Sequence, residues 1–271
     1  MSPQIAFLGA GNMASAMING LLAEGFSPAG LKASDPSEMA LSQLRDLGLT
    51  EVSTSPVGIF EGADLVVAAV KPQIMPNALA AISDQLGPDT ALLSIAAGLP
   101  TASLQAYAGS DVPIIRCMPN TPAMIGLGAS ALFASATVNA AHRALAEQVT
   151  SAAGTTVWVE DEALLDVVTA VSGSGPAYFF ALIEAIAETG TELGLDAEVA
   201  MALTLQTAMG AAALALKSDE GVAKLRENVT SPGGTTEEAL RSLQAHHFDD
   251  VVKEAVKQCA ARATTLGKEF G

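Results

Sequence analysis

The sequence predicts a doubly wound α/β sheet followed by an all-helical domain, and three observations carry that reading. Short β-type runs alternate with helical patterns from Gln4 to about Val159. The apolar runs among them, such as "DLVVAAV" at 64–70, do not alternate with polar residues. After Glu160 the β signal ends and apolar residues recur at helical spacing. Uninterrupted apolar strands suit a sheet covered by helices on both faces, and strand–helix alternation implies βαβ units with mostly parallel pairing. The expected domains are residues 1–160 and 161–271.

In order, the first part reads "QIAFL", a helix over Asn12 to Glu24, "LKAS", a helix over Ser37 to Leu47, "DLVVAAV" and a helix over Ile74 to Leu86. It continues with "TALLSIAA", "VPIIRC", "ASALFA", a helix near Asn139 to Ala152, and "TTVWV". In the second part Leu164, Val167, Val168 and Val171 mark a helix that "SGSGP" at Ser172 to Pro176 punctuates. Glu184, Glu188 and Glu192 then form a polar stripe opposite Phe179, Leu182 and Ile186. Further helices are expected over Ala197 to Leu216, around Glu237 to Gln244, and from Asp250 to Leu266. Val199 to Leu216 holds eighteen residues without a charge, but seven are alanine, and Thr204, Gln206, Thr207 and Gly210 interrupt the rest. Such small side chains suit a buried helix at a subunit interface better than a membrane span.

The 271 residues are 50% hydrophobic, ample for a packed core. A net charge of −16 opposes nucleic acid and anionic membranes as partners. Cys117 and Cys259 lack metal-site spacing and read as buried thiols in a reducing compartment, which points to the cytoplasm. The opening "MSPQIAFLGAGNM" shows no basic leader and apolar core, so no secretory signal is expected.

A chain this acidic needs local donors to hold an anion, and the first loop offers them. "GAGNMA" at Gly9 to Ala14 has the form G-x-G-x-x-A between a strand and a helix. Gly9 allows the tight turn, Gly11 lets backbone approach a pyrophosphate, and Ala14 permits close helix–strand packing. This is a Rossmann dinucleotide fingerprint, with Leu8, Gly9, Ala10, Gly11, Asn12 and Met13 as candidate contacts. Ser34 and Asp35 end the second strand where an adenosine ribose would lie. Asp35 favours NADH over NADPH, unless Asp35-Pro36 merely starts a turn and points away. "AVKPQ" at 69–73 supplies Ala69, Val70, Lys71 and Pro72 along the cofactor, with Lys71 meeting the dinucleotide or a backbone carbonyl, or else solvated.

A second glycine-rich loop, "SPGGTTEEAL" at Ser231 to Leu240, breaks the helical part and looks like another anion cradle. Reduction of a carbonyl calls for a proton donor, yet none stands out. His246 and His247 read as surface residues, His142 lies on a polar helix face, and Lys217, Lys224, Lys253, Lys257 and Lys268 look solvated. No metal-ligand cluster emerges either. A substrate that arrives protonated, such as a cyclic iminium ion, removes the need for an acid.

These blocks resemble the pyrroline-5-carboxylate reductase family over nearly the whole chain. They are "FLGAGNMA", "AVKPQ", "SIAAG" at 94–98, "RCMPNTPA" at 116–123, "SGSGPAYFF" at 172–180 and "VTSPGGTTEEAL" at 229–240, the last the most specific. The resemblance implies reduction of 1-pyrroline-5-carboxylate to L-proline by NADPH or NADH. It also implies a helical domain that dimerises by interlocking, with dimers often assembled into rings. Ser231, Gly233, Gly234, Thr235 and Thr236 become the substrate positions: the serine and backbone N–H groups hold the carboxylate, and Thr236, the catalytic candidate, bonds the ring nitrogen. Asn120 of "MPNTP" is the side chain expected at the nicotinamide. Two positions depart from the pattern. Pro56 stands where some members place an asparagine touching the ribose, and members that favour NADPH carry asparagine in place of Asp35. A β-hydroxyacid-type dehydrogenase and a non-enzymatic dinucleotide sensor are the alternatives; the missing lysine acid and the signature loop count against the first, Ser231 and Thr236 against the second.

Overall fold

A computed structural model describes residues 3–270 and divides the chain into two compact units. The first comprises residues through Ser174 together with those from Cys259 onward; the second is Gly175–Gln258.

The first unit is an eight-stranded sheet of β1 (Ile5–Leu8), β2 (Leu31–Ser34), β3 (Glu51–Ser53), β4 (Leu65–Ala68), β5 (Ala91–Ser94), β6 (Ile114–Met118), β7 (Gly128–Ala134) and β8 (Gly154–Trp158). The order is β3-β2-β1-β4-β5-β6-β7-β8. All pairings are parallel except β6 with β7, which is antiparallel. The strand order reverses beside β1, so the glycine-rich loop leaves the sheet at the topological switch point, where such sheets bind ligands.

Side-chain alternation along β1 builds both faces of the core. Ile5 and Phe7 pack with Met17, Ile18 and Leu21 of helix α1 (Asn12–Ala23). Ala6 and Leu8 pack on the opposite face with Phe60, Val66 and Met75. Every residue of β1, β4 and β5 is buried, as the unbroken apolar runs predict. The first unit is completed by α2 (Glu38–Asp46), α3 (Met75–Ala80), α4 (Thr101–Ala108), α5 (Ala140–Ser151) and α6 (Leu164–Val168), which continues into a π-helical turn at Thr169–Gly173.

The two compact units divide at Ser174, beyond the expected boundary at Glu160, and the residues between the two positions are tied to the sheet. Arg116 Nη1 donates to Glu162 Oε1 at 2.7 Å, and α6 packs on β6 and β7. The last helix is tied to the same unit: Thr264 donates to Asp166 Oδ2 at 2.7 Å, and a Cβ on Gly98 would lie 3.4 Å from the Gly267 nitrogen.

The second unit is helical: α7 (Gly175–Glu192), α8 (Ala197–Lys217), α9 (Val222–Asn228), α10 (Thr235–Ala245) and the start of α11 (Phe248–Phe270). Asp196 caps α8 by accepting from the N–H groups of Glu198 and Val199 at 2.9 and 3.3 Å. Gly190 lets α7 approach α8, since a Cβ there would meet Ala200 Cβ at 3.3 Å. The burial expected of Val199 to Leu216 is not met within one chain: only Ala200 and Thr204 of α8 are buried, while Leu203, Met209 and Leu216 are exposed. By length and composition alone, Leu164–Glu192 and Ala197–Lys217 are long and apolar enough to cross a membrane.

Candidate active site

The turn after β1 is built by close backbone contacts. Gly9 holds φ +103° and its N–H donates to Ser34 O at 2.8 Å, while the Ala69 N–H donates to Leu8 O at 2.8 Å. A Cβ at Gly9 would lie 2.8 Å from Ala69 O, so a side chain is excluded by both conformation and space. Gly11, the residue that opens α1, has no atom within 4 Å of its Cβ position. The helix has no side-chain cap and no acid in its first turn. The first-turn N–H groups, which have no intrahelical acceptor, and the helix's partial positive charge are the features a pyrophosphate requires. Ala14 is fully buried, the close packing its small side chain predicts.

Asp35 does not point away. Its Oδ2 accepts from the Ala10 N–H and its Oδ1 from the Ser37 N–H, both at 2.8 Å, so one carboxylate joins the glycine-rich loop to the loop after β2. Ser34 is buried and contributes its carbonyl to Gly9. Ala69, Val70 and Pro72 are half-buried after β4, and Lys71 is exposed. Pro56 offers its carbonyl to Gln85 Nε2 at 3.2 Å, while Gln85 Oε1 accepts from the Phe60 N–H at 3.1 Å. That glutamine pins the β3–β4 loop where the departure from the family pattern falls.

Asn120 follows β6, and the 3-10 turn after it, Thr121–Ile125, packs on α1. Its Oδ1 accepts from the Ala129 N–H at 2.8 Å and its Nδ2 donates to Ser172 O at 3.1 Å. The side chain thus bridges β7 and the π-helical turn of "SGSG" in a fixed orientation. A Cβ at Gly173 would lie 2.3 Å from Met118 Cε, so a side chain in that turn would have to displace the end of Met118.

A further cluster was not legible in the sequence. Glu162 Oε1 accepts from the Thr101 N–H at 2.6 Å, the Thr101 hydroxyl at 2.8 Å and Arg116 Nη1 at 2.7 Å. Burial pushes the Glu162 pKa up, but the Thr101 and Arg116 hydrogen bonds outweigh it and hold the carboxyl below its ordinary value. Glu162 thereby caps α4 and neutralises the buried Arg116.

The second glycine-rich loop lies wholly in the second unit. Gly233 has φ +70° with no atom within 4 Å of its Cβ position, and a Cβ at Gly234 would lie 2.9 Å from Ser231 O. Gly234 precedes α10, and no side chain caps the helix. Among the described residues the hydroxyls of Ser231, Thr235 and Thr236 have no hydrogen-bond partner in the chain, and the N–H groups of the first turn lack intrahelical acceptors. The loop thus gathers three unpartnered hydroxyls at the N-terminus of α10. Glu237 Oε2 accepts from the Gly233 N–H at 2.6 Å.

His142, expected on a polar helix face, is buried instead. Its Nε2 lies 3.4 Å from Asp89 O, and among the described residues its Nδ1 has no partner. His246, His247 and the five lysines of the helical part are exposed. Cys117 is buried, which pushes its thiol up to about 12, so it is inert at neutral pH. Cys259 is half-buried and donates to Ser174 Oγ at 3.3 Å. Among the described residues no group of three or more His, Cys, Asp or Glu could hold a metal.

Residues 162–266 match the family described as pyrroline-5-carboxylate reductase dimerisation. Residues 4–98 match that described as NADP oxidoreductase coenzyme F420-dependent. The chain is 47% identical to a pyrroline-5-carboxylate reductase of Pseudomonas aeruginosa over 270 residues, covering 100% of this chain and 99% of that one. A solved pyrroline-5-carboxylate reductase from Coxiella burnetii superposes with TM-score 0.94 at 35% identity, covering 98% and 99% of the two chains. The Plasmodium falciparum pyrroline carboxylate reductase with NADP bound superposes with TM-score 0.86 at 30% identity, covering 98% of each. This chain belongs to the pyrroline-5-carboxylate reductase family.

Proposed function

We propose that the protein reduces 1-pyrroline-5-carboxylate to L-proline, the last step of proline biosynthesis, with NADPH or NADH as the reductant. The observation that supports this best is the pairing of two anion cradles in one chain: the open N-terminus of α1 behind Gly9 and Gly11, and the donor-rich loop from Ser231 to Thr236.

The residues divide the work as follows. Gly11, Asn12 and Met13 hold the pyrophosphate by backbone N–H groups and the α1 dipole, while Gly9 and Ala10, whose N–H groups are bonded to Ser34 O and Asp35 Oδ2, shape the turn beside it, with Leu8, Ala69, Val70, Lys71 and Pro72 along the cofactor. Asp35 and Ser34 border the adenosine ribose, and the Asp35 carboxylate disfavours a 2′-phosphate. Asn120 fixes the wall beside the nicotinamide. When bound, the reduced dinucleotide supplies a hydride to the imine carbon. Ser231, Gly233, Gly234 and Thr235 hold the substrate carboxylate. Thr236 accepts the iminium N–H with its hydroxyl oxygen, orienting the ring and steadying the proton as positive charge on nitrogen is neutralised. Because the substrate already carries that proton, no histidine or lysine acid is needed. Fixing both ends of a small ring is the kind of positioning that lowers a barrier by several kcal/mol.

The dimerisation match and the exposed apolar face of α7 and α8 support a homo-oligomer formed through the helical unit. A groove of about 430 Å³ lined by Phe179, Leu182, Ile186 and Leu203 lies between these helices. Two free thiols and amino-acid biosynthesis suit a cytoplasmic enzyme. The test is oxidation of NADH or NADPH on addition of pyrroline-5-carboxylate, with L-proline as product; absence of proline under both reductants overturns the reading.

A further inference from the structure

Glu237 places a carboxylate on the donor that the substrate carboxylate is expected to use. Gly233 is held at φ +70° with open space above it, and its N–H points to Glu237 Oε2 at 2.6 Å. The other glycine N–H, that of Gly234, is committed to Ser231 O at 2.9 Å.

The contact differs from ordinary helix capping. Gly234 is the N-cap of α10 and Glu237 its third helical residue. A capping glutamate at that position reaches the N-cap N–H. Glu237 reaches one residue further out, past an N-cap already satisfied by Ser231, onto the N–H at the open side of the loop. It is half-buried and, among the described residues, has no ion-pair partner, whereas the neighbouring Glu238 pairs with Arg241 at 3.0 Å.

We propose that Glu237 is a specificity-determining residue that competes, as a tethered anion, with the substrate carboxylate for the Gly233 N–H. The inference rests on the reading of this loop as the substrate cradle. Binding of pyrroline-5-carboxylate or L-proline then requires the Glu237 side chain to swing off the glycine. The tether weakens binding of carboxylate ligands and leaves ligands without a carboxylate unaffected.

Glu237→Gln keeps the length and an acceptor oxygen but removes the charge, and Glu237→Asp keeps the charge but shortens the reach. Replacing a charge-assisted hydrogen bond by a neutral one changes affinity by about threefold to tenfold. In steady-state kinetics of the full-length enzyme, both variants are expected to lower KM for pyrroline-5-carboxylate by that factor, with the change in KM and not in kcat. Calorimetric titration of L-proline into enzyme with oxidised cofactor is expected to show the same gain, while KM for 1-pyrroline, which has no carboxylate, does not fall. An active wild type whose Glu237→Gln and Glu237→Asp forms melt normally but show unchanged or raised KM and proline Kd overturns this inference alone. A wild type inactive on pyrroline-5-carboxylate overturns it together with the proposed function.

Discussion

The carboxylate of Asp35 accepts the Ala10 N–H at 2.8 Å, so the residue we propose to border the adenosine ribose also holds the glycine-rich loop. Its second oxygen takes the Ser37 N–H at 2.8 Å, which leaves the negative charge fixed at the end of β2.

Asp35→Asn or Asp35→Ser is therefore expected to act twice. Removing the charge shifts the kcat/KM ratio toward NADPH, and losing a charge-assisted bond of about 1.5–3 kcal/mol loosens the loop and lowers kcat/KM with NADH by about tenfold or more. Parallel kinetics with both reductants check this. A ratio that does not move removes Asp35 from the ribose.

The Glu162–Arg116 pair is expected to matter for stability. Arg116 is buried and Glu162 partly so, and Glu162 also caps α4. Breaking such a pair leaves a buried charge uncompensated; discounted for the exposure of Glu162, Glu162→Ala should cost about 2 kcal/mol, read as a lower urea midpoint. Because folding lowers the Glu162 pKa, its contribution is fully present above the unfolded value, about 4.3, and is lost as pH falls through the folded value. Wild type should lose stability more steeply than Glu162→Gln below about pH 4.

Gly234→Ala should damage substrate binding without touching the cofactor. The added Cβ would lie 2.9 Å from Ser231 O, so the turn must open. The expected result is a KM for pyrroline-5-carboxylate raised about tenfold with an unchanged Kd for the reduced dinucleotide, measured by fluorescence titration. Equal damage to both would show a general folding defect instead.

The exposed apolar residues of α8 predict self-association. Sedimentation at micromolar concentration should show a dimer or larger assembly, and Leu203→Glu with Met209→Glu should shift it toward monomer. A stable wild-type monomer would contradict the role given to this helix.

Much of the fold was legible because its signals are local. The unbroken apolar strands, the G-x-G-x-x-A turn and the alanine-rich helix all sit where expected, within a few residues. What escaped depends on distant partners. Helix α4 was missed because no residue next to Thr101 caps it; its cap is Glu162, sixty-one positions away. Strand β3 was missed because it is three residues long and pairs only with β2, where Lys32 and Glu51 meet at 3.2 Å. The short α9 opens on Gly221 without a side-chain cap. The antiparallel β7 follows a turn at Asn120 whose partners, Ala129 and Ser172, no local pattern announces.

The central claim is that the loop from Ser231 to Thr236 holds the substrate and that the Thr236 hydroxyl meets its nitrogen. The most direct measurement is kcat/KM for pyrroline-5-carboxylate in wild type and in Thr236→Ala. Loss of one hydrogen bond to a charged group, about 1.5–3 kcal/mol, predicts a decrease of about 10- to 150-fold in a variant that folds and binds reduced dinucleotide normally. Unchanged kinetics in that variant would contradict the account.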